Sequence, residues 1–183
     1  TTRLFAEIAL SVIKDLGLPS GTVQLIYRTP HDVGERLVSH PSVGATGYTG
    51  SRGAGLVLKK AADLAGKPIY LELSSINPVV ILPGALEERE DEIAEEFVTS
   101  CLLGTGQFCT NPGIAIIIDG TDAEKFIKET ASLLSKLEPQ IMLTDGISKA
   151  YRDGCERMSS FNAVSQLNNE SEITRAALPQ LFV

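Results

Sequence analysis

The sequence predicts an α/β fold in two consecutive parts, each built on parallel strands. Helix and strand patterns alternate through residues 1–73. The strands are short and mostly apolar, as strands buried on both faces are. After SSINP (residues 74–78) the alternation resumes with different content. Strand–helix–strand alternation indicates right-handed crossovers and a layered parallel sheet.

Apolar residues at 4, 5, 8, 9, 12, 13 and 16 predict a helix over residues 2–16, ended by Gly17 with Pro19 beyond it. TVQLIY (22–27) reads as a strand. Asp32 is placed to cap a short helix running to residue 39, which His40-Pro41 stops. VGATGYT (43–49) reads as a strand, and a helix rich in Ala, Leu and Lys follows Gly50-Ser51 to residue 65. Gly66-Lys67-Pro68 is a turn before the strand IYLEL at 69–73. A boundary near 74–78 divides the chain into 1–74 and 75–183.

In the second part a strand at 79–82 precedes an acidic helix at 87–103, with Ile93, Phe97, Val98 and Leu102 on one face. Its carboxylates crowd the first turns, where they complement the helix dipole. GTGQF is a turn, residues 114–118 are a buried strand, and 123–137 and 146–160 are amphipathic helices. Residues 161–183 carry no strong pattern.

Composition narrows the function. The chain has 183 residues, 43% of them hydrophobic, enough for a core. Sixteen basic and 23 acidic residues give a net charge of −7, and no Lys/Arg run is present, which argues against nucleic-acid binding. No apolar run approaches a membrane span, and no secretory leader is recognisable. Three cysteines without a CxxC make no disulfide framework, and free thiols point to the cytoplasm. No His/Cys/Asp/Glu set has metal-ligand spacing, so no metal is expected.

Three places can carry chemistry. TGSRGAG (49–55) joins a strand to a helix, where glycines admit close backbone approach and a helix N-terminus offers free N–H groups. It suits a phosphate or an amide, although the spacing is not GxGxxG, and an empty βα turn explains it equally well. Glu72 stands in the otherwise apolar IYLEL. Burial there would raise its pKa toward neutrality and suit a general base; a solvated strand-end glutamate is the plainer reading. Cys109 lies in GTGQFCTNPG, where a turn can expose the thiol to backbone N–H donors. A small buried hydrophobe is the usual role of free cysteine, and Cys101 and Cys155 fit that role better.

Taken together, LPSGTVQLI, SHPSVGATGYTGSRGAG, IYLELSSINPVVIL and GTGQFCTNPG resemble the NAD(P)-dependent aldehyde dehydrogenase superfamily in order and spacing. ELSSINP replaces the commoner ELGGKSP: Ser74 and Ser75 stand for two glycines and Asn77 for a serine. With GQFCTNPG, this looks like the branch containing 2,5-dioxovalerate (α-ketoglutarate semialdehyde) dehydrogenases and NADP-dependent fatty aldehyde dehydrogenases. The resemblance implies a Rossmann-like cofactor half followed by the first part of a catalytic domain. It implies Cys109 as nucleophile, Glu72 as general base, and Gly50, Ser51 and the Leu73 backbone at the nicotinamide. Gly34 matches a family glycine, and Arg28 or His31 is placed to face the adenosine ribose and favour a 2′-phosphate, so NADP or NAD is the implied cofactor.

The resemblance further implies a small-molecule aldehyde substrate, a homo-oligomer, and a chain that is a segment of a longer protein, inactive alone. Family members have flanking segments that supply the Asn completing the oxyanion hole and a Glu holding the nicotinamide ribose. Two other readings stay open at this point: a Cys109-dependent thiol hydrolase using a histidine, and a catalytically silent structural fragment.

Overall fold

The computed structural model describes residues 1–27, 29–168 and 176–183, the side chain of Asp91 excepted. The chain packs as two compact units, Thr1–Ser74 and Ser75–Val183.

The first unit contains α1 (Thr2–Asp15), α2 (His31–Ser39), β1 (Thr46–Gly50), α3 (Arg52–Leu64) and β2 (Ile69–Leu73). β1 and β2 pair in parallel, Thr46 opposite Ile69 and Gly50 opposite Leu73, with α3 as the crossover that a parallel pair requires. The Thr46 N–H donates to the Pro68 carbonyl at 3.1 Å, and Lys67 Nζ donates to the Val43 carbonyl, so the two strands start level. α2 packs along α3, burying Val38 and Ala62.

Two expectations for this unit are corrected, and the helix expected at 2–16 forms as α1. TVQLIY forms no strand: Thr22 turns back on Pro19, donating from both N–H (2.9 Å) and Oγ1 (2.6 Å), and the segment pairs with no described residue. β-propensity supplies a pleatable surface, but a strand exists only with a ladder neighbour. Asp32 is not the cap of α2. That helix starts at His31, with Pro30 as N-cap at φ −58°, ψ 157°, and Asp32 lies in the first turn, where it complements the dipole. The apolar stripe of α1 buries only Ile13, while Leu4, Phe5, Ile8 and Leu16 are exposed. Arg28 lies outside the described residues.

The second unit contains β3 (Pro78–Ile81), α4 (Pro83–Leu102), β4 (Ile114–Ile117), α5 (Thr121–Ser135), β5 (Gln140–Ile141), α6 (Asp145–Ser159) and β6 (Ala176–Ala177). β3 and β4 pair in parallel, Pro78 opposite Ile114 and Ile81 opposite Ile117, again across a helix. Ile81, Leu86, Ala94 and Phe126 form the core, with Val79, Ile93, Phe97, Ala115 and Ile117 packed against it. Phe126 is 2% exposed and meets Phe97 edge-on at 5.8 Å between ring centroids. Burial of such a ring stabilises by about 1.5–3 kcal/mol, and the aromatic pairing adds about 1 kcal/mol. These contacts fix α4 and α5 on one face of the strand pair.

α4 starts earlier than its acidic run, at Pro83. Proline suits a first helical position because its missing N–H would be unpaired there anyway. A kink at Arg89 (φ −146°, ψ 36°) separates this first stretch from the rest. The two-residue strands β5 and β6, antiparallel to one another, were not readable from the sequence. No helix among the described residues is long and apolar enough to cross a membrane.

Candidate functional site

In the first unit the strand register brings four of the expected residues together. Glu72 lies opposite Thr49, and Leu73 opposite Gly50, at the C-terminal end of the parallel pair. That end is where open α/β sheets bind ligands. Ser51 follows directly and caps α3, its Oγ accepting from the Ala54 N–H at 3.4 Å. The Gly55 N–H is taken by the Ser51 carbonyl, while the Arg52 and Gly53 N–H groups make no hydrogen bond to a described residue. The first turn of α3 holds no acidic residue, so its partial positive charge is uncompensated. Gly55 is buried, and a Cβ there would meet the Leu73 side chain, which packs directly over this glycine.

Glu72 is exposed rather than buried, alternating with half-buried Leu71 and Leu73. The desolvation argument made for it from sequence therefore does not apply; its carboxylate is open to water. His31 is exposed at the start of α2. Gly34, half-buried on the same helix, faces Leu58 of α3.

In the second unit Cys109 stands on the connection between α4 and β4. α4 ends at Leu103 in a non-helical conformation, and Gly104, Thr105 and Gly106 follow at φ 59°, 60° and 67°. Three left-handed residues in succession reverse the chain. Gln107 straddles the reversal: Nε2 donates to the Gly104 carbonyl at 2.9 Å, and Oε1 accepts from the Leu143 N–H at 2.9 Å. Asn111 Nδ2 donates to the Gly106 carbonyl at 2.7 Å, and its buried Oδ1 has no partner among the described residues.

Cys109 is exposed, and its backbone N–H makes no hydrogen bond to a described residue. Its carbonyl accepts from Ser75 Oγ at 3.2 Å and from Asn77 Nδ2 at 2.8 Å. Cys101 differs: its thiol is partly buried, burial pushes it up to about 11, and Sγ donates to the Pro112 carbonyl at 3.6 Å. Gln107 and Asn111 were not singled out from the sequence, and Ser75 and Asn77 were noted there only as departures from the commoner ELGGKSP, with no role attached. The signal for Asn77 was Asn-Pro, a turn marker, in a residue type that tolerates left-handed backbone. No group of three or more His, Cys, Asp or Glu side chains that could hold a metal occurs among the described residues.

The aldehyde dehydrogenase family model matches residues 1–148. The chain belongs to the aldehyde dehydrogenase family.

Among the relatives of this aldehyde dehydrogenase chain, alpha-ketoglutaric semialdehyde dehydrogenase 2 of Azospirillum brasilense is 42% identical, over 91% of this chain and 32% of the relative. The alpha-ketoglutaric semialdehyde dehydrogenase of Acinetobacter baylyi is 35% identical, over 100% of this chain and 35% of the relative. The chain thus spans about a third of the length of these curated relatives. Glyceraldehyde-3-phosphate dehydrogenase GapN from Methanocaldococcus jannaschii, solved with NADP, shares the fold at a TM-score of 0.81 and 20% identity, over 97% of this chain and 40% of that one. An NAD-dependent benzaldehyde dehydrogenase from Corynebacterium glutamicum does so at 0.80 and 18%, over 96% and 39%. At such identities these two structures speak to the fold alone, and they agree with the α/β architecture expected.

Proposed function

We propose that this chain carries the nucleophile and the base of an NAD(P)-dependent aldehyde dehydrogenase that oxidises 2,5-dioxovalerate, or a related semialdehyde, to the carboxylic acid. The observation that carries this reading is the presentation of Cys109: an exposed thiol on a turn whose carbonyls are held by Asn77, with its own N–H free among the described residues. The similarity to two alpha-ketoglutaric semialdehyde dehydrogenases supports the substrate.

The corner at Gly50–Gly55 fits a nicotinamide dinucleotide: it offers the Arg52 and Gly53 N–H donors and an open surface at Gly53, where nothing stands within 4 Å of a Cβ position. Gly50, Ser51 and the Leu73 backbone would hold the nicotinamide end, with Gly34 and His31 toward the adenosine. The dinucleotide, when bound, supplies the hydride acceptor.

The Cys109 thiolate adds to the aldehyde carbon, forming a C–S bond and placing negative charge on the former carbonyl oxygen. The Cys109 N–H is one donor for that oxyanion. When the C–H hydrogen leaves with its electron pair, the carbonyl re-forms as a thioester on Cys109. Glu72, open to water, removes a proton from a water molecule that attacks the thioester. The C–S bond then breaks, releasing the acid and restoring the thiolate. The same reading takes the enzyme as a homo-oligomer of the reducing cytoplasm, where three free thiols persist.

Cys109→Ser in the intact protein tests the nucleophile. Expected is loss of 2,5-dioxovalerate oxidation by a factor of at least about 10³, with the fold retained by circular dichroism. Activity of Cys109→Ser within tenfold of the parent would overturn the assignment.

A further inference from the structure

The Ser75–Asn77 segment holds the Cys109 turn at three points. The Gly113 N–H donates to the Ile76 carbonyl at 2.7 Å. Asn77 Nδ2 donates to the Cys109 carbonyl at 2.8 Å and to the Asn111 carbonyl at 2.9 Å. A carbonyl oxygen only accepts, so the Asn77 atom facing both must be the nitrogen, and its two hydrogens match two acceptors. Asn77 Oδ1 is then turned to Ser75, whose Oγ lies 3.0 Å away. Asn77 itself sits at φ 45°, a left-handed conformation that asparagine tolerates better than other side-chain-bearing residues. Such a conformation persists where its surroundings over-determine it, and here the surroundings are the turn that bears Cys109.

We propose that Asn77 is a positioning residue for Cys109: its side-chain amide clamps the two peptide planes that flank the Thr110–Asn111 pair and thereby fixes how the nucleophilic residue is presented. Holding the Cys109 carbonyl from within the protein restrains rotation about the Cα–C bond of Cys109. The N–Cα–Cβ frame that carries both the thiol and the residue's own N–H is thereby held in one orientation on the turn, which a nucleophile and its oxyanion donor need. Ser75 Oγ lies 3.0 Å from Asn77 Oδ1 and 3.2 Å from the Cys109 carbonyl, so its single hydrogen braces the clamp at one or the other of these two acceptors. This inference rests on Cys109 being the nucleophile.

The test uses the intact protein and three readouts. Asn77→Gly keeps the left-handed backbone accessible and removes the whole side-chain amide, its two donor contacts and its Oδ1 acceptor together. Amide hydrogen exchange across residues 104–113 is expected to speed up at least about fivefold. kcat for 2,5-dioxovalerate is expected to fall about ten- to a hundredfold, with KM changed less than about threefold, because misplacement by about an ångström costs turnover rather than binding. Alkylation of Cys109 by iodoacetamide is expected to change by less than about threefold, since the thiol is exposed already and a small reagent needs no alignment.

Ser75→Ala leaves the Asn77 side chain in place. It is expected to lower kcat by a smaller factor in the same direction, and it carries the test if Asn77→Gly fails to fold. Unchanged exchange in the folded variants would overturn the clamp. Faster exchange with kcat within twofold of the parent would overturn the positioning role. Failure of the dehydrogenase reading shows itself separately, as a parent protein that does not oxidise aldehydes or a Cys109→Ser variant that still does.

Discussion

The backbone N–H of Gly113 donates to the carbonyl of Ile76 at 2.7 Å, and a Cβ built on Gly113 would itself lie 2.7 Å from that oxygen. The entry to β4 and the approach to β3 are therefore in contact through bare backbone. Gly113→Ala must push the two segments apart, and the atom it meets is a carbonyl rather than the end of a flexible side chain. Expected is a loss of about 1–3 kcal/mol in urea unfolding with an unchanged m-value. A variant as stable as the parent would show that the segments can separate without cost.

The two thiols Cys101 and Cys109 differ in access. Burial holds Cys101 at about 11 against its ordinary 9.0. At pH 8 roughly one Cys101 in a thousand is a thiolate, so iodoacetamide is expected to label exposed Cys109 and leave Cys101 unmodified in peptide maps, with Cys101 labelling rising only toward pH 11. Above pH 9 the unfolded thiol loses its proton while the folded one retains it, so the folded state binds more protons across that window. Its stability contribution is complete below pH 9 and is lost as the pH rises toward 11. Cys101→Ala is expected to flatten this alkaline decline in a melting-temperature series.

Glu72→Gln separates the two halves of the proposed reaction. The amide cannot accept a proton from water, but it does not touch the addition of Cys109 to the aldehyde. Stopped-flow mixing is expected to show a burst of reduced nicotinamide close to one per active site, followed by a steady state slowed by at least about 10². Steady-state turnover equal to the parent would remove Glu72 from the base role.

His31 opens α2 and is exposed, as a residue reading the adenosine ribose has to be. His31→Ala is expected to raise KM for NADP about three- to tenfold while leaving KM for NAD within twofold, since only NADP carries the 2′-phosphate. Equal effects on both cofactors, or a parent that strongly prefers NAD, would reject this role.

Sequence patterns read some parts of this chain well and others not at all, for physical reasons. IYLEL became β2 with the bounds its flanking turn residues suggested, and residues 114–117 became β4, because apolar runs between turns have few other outcomes. TVQLIY carried the same signal and failed, because a ladder partner lies outside the segment's own sequence. The kink at Arg89 and the two-residue strands β5 and β6 leave no periodic trace. At the candidate site, the glycine corner and Cys109 stand out in the sequence because their residue types are unusual where they stand. Asn77 stands out only as a departure from ELGGKSP; its bonds to Cys109 and Asn111 span 32 and 34 residues, and no local pattern encodes a contact of that range.

The left-handed run Gly104–Thr105–Gly106 has a consequence for how this surface tolerates change. Gly104 is solvent-exposed, yet a side chain there would meet the Phe108 ring at 2.7 Å on a backbone that L-residues rarely adopt. In a saturation mutagenesis scan, position 104 is expected to accept few residues beyond Asn and Asp, while neighbouring exposed positions of α4 accept most. A depletion map of the chain would therefore show intolerance traced along the turn ahead of Cys109, at positions where solvent exposure alone forecasts freedom.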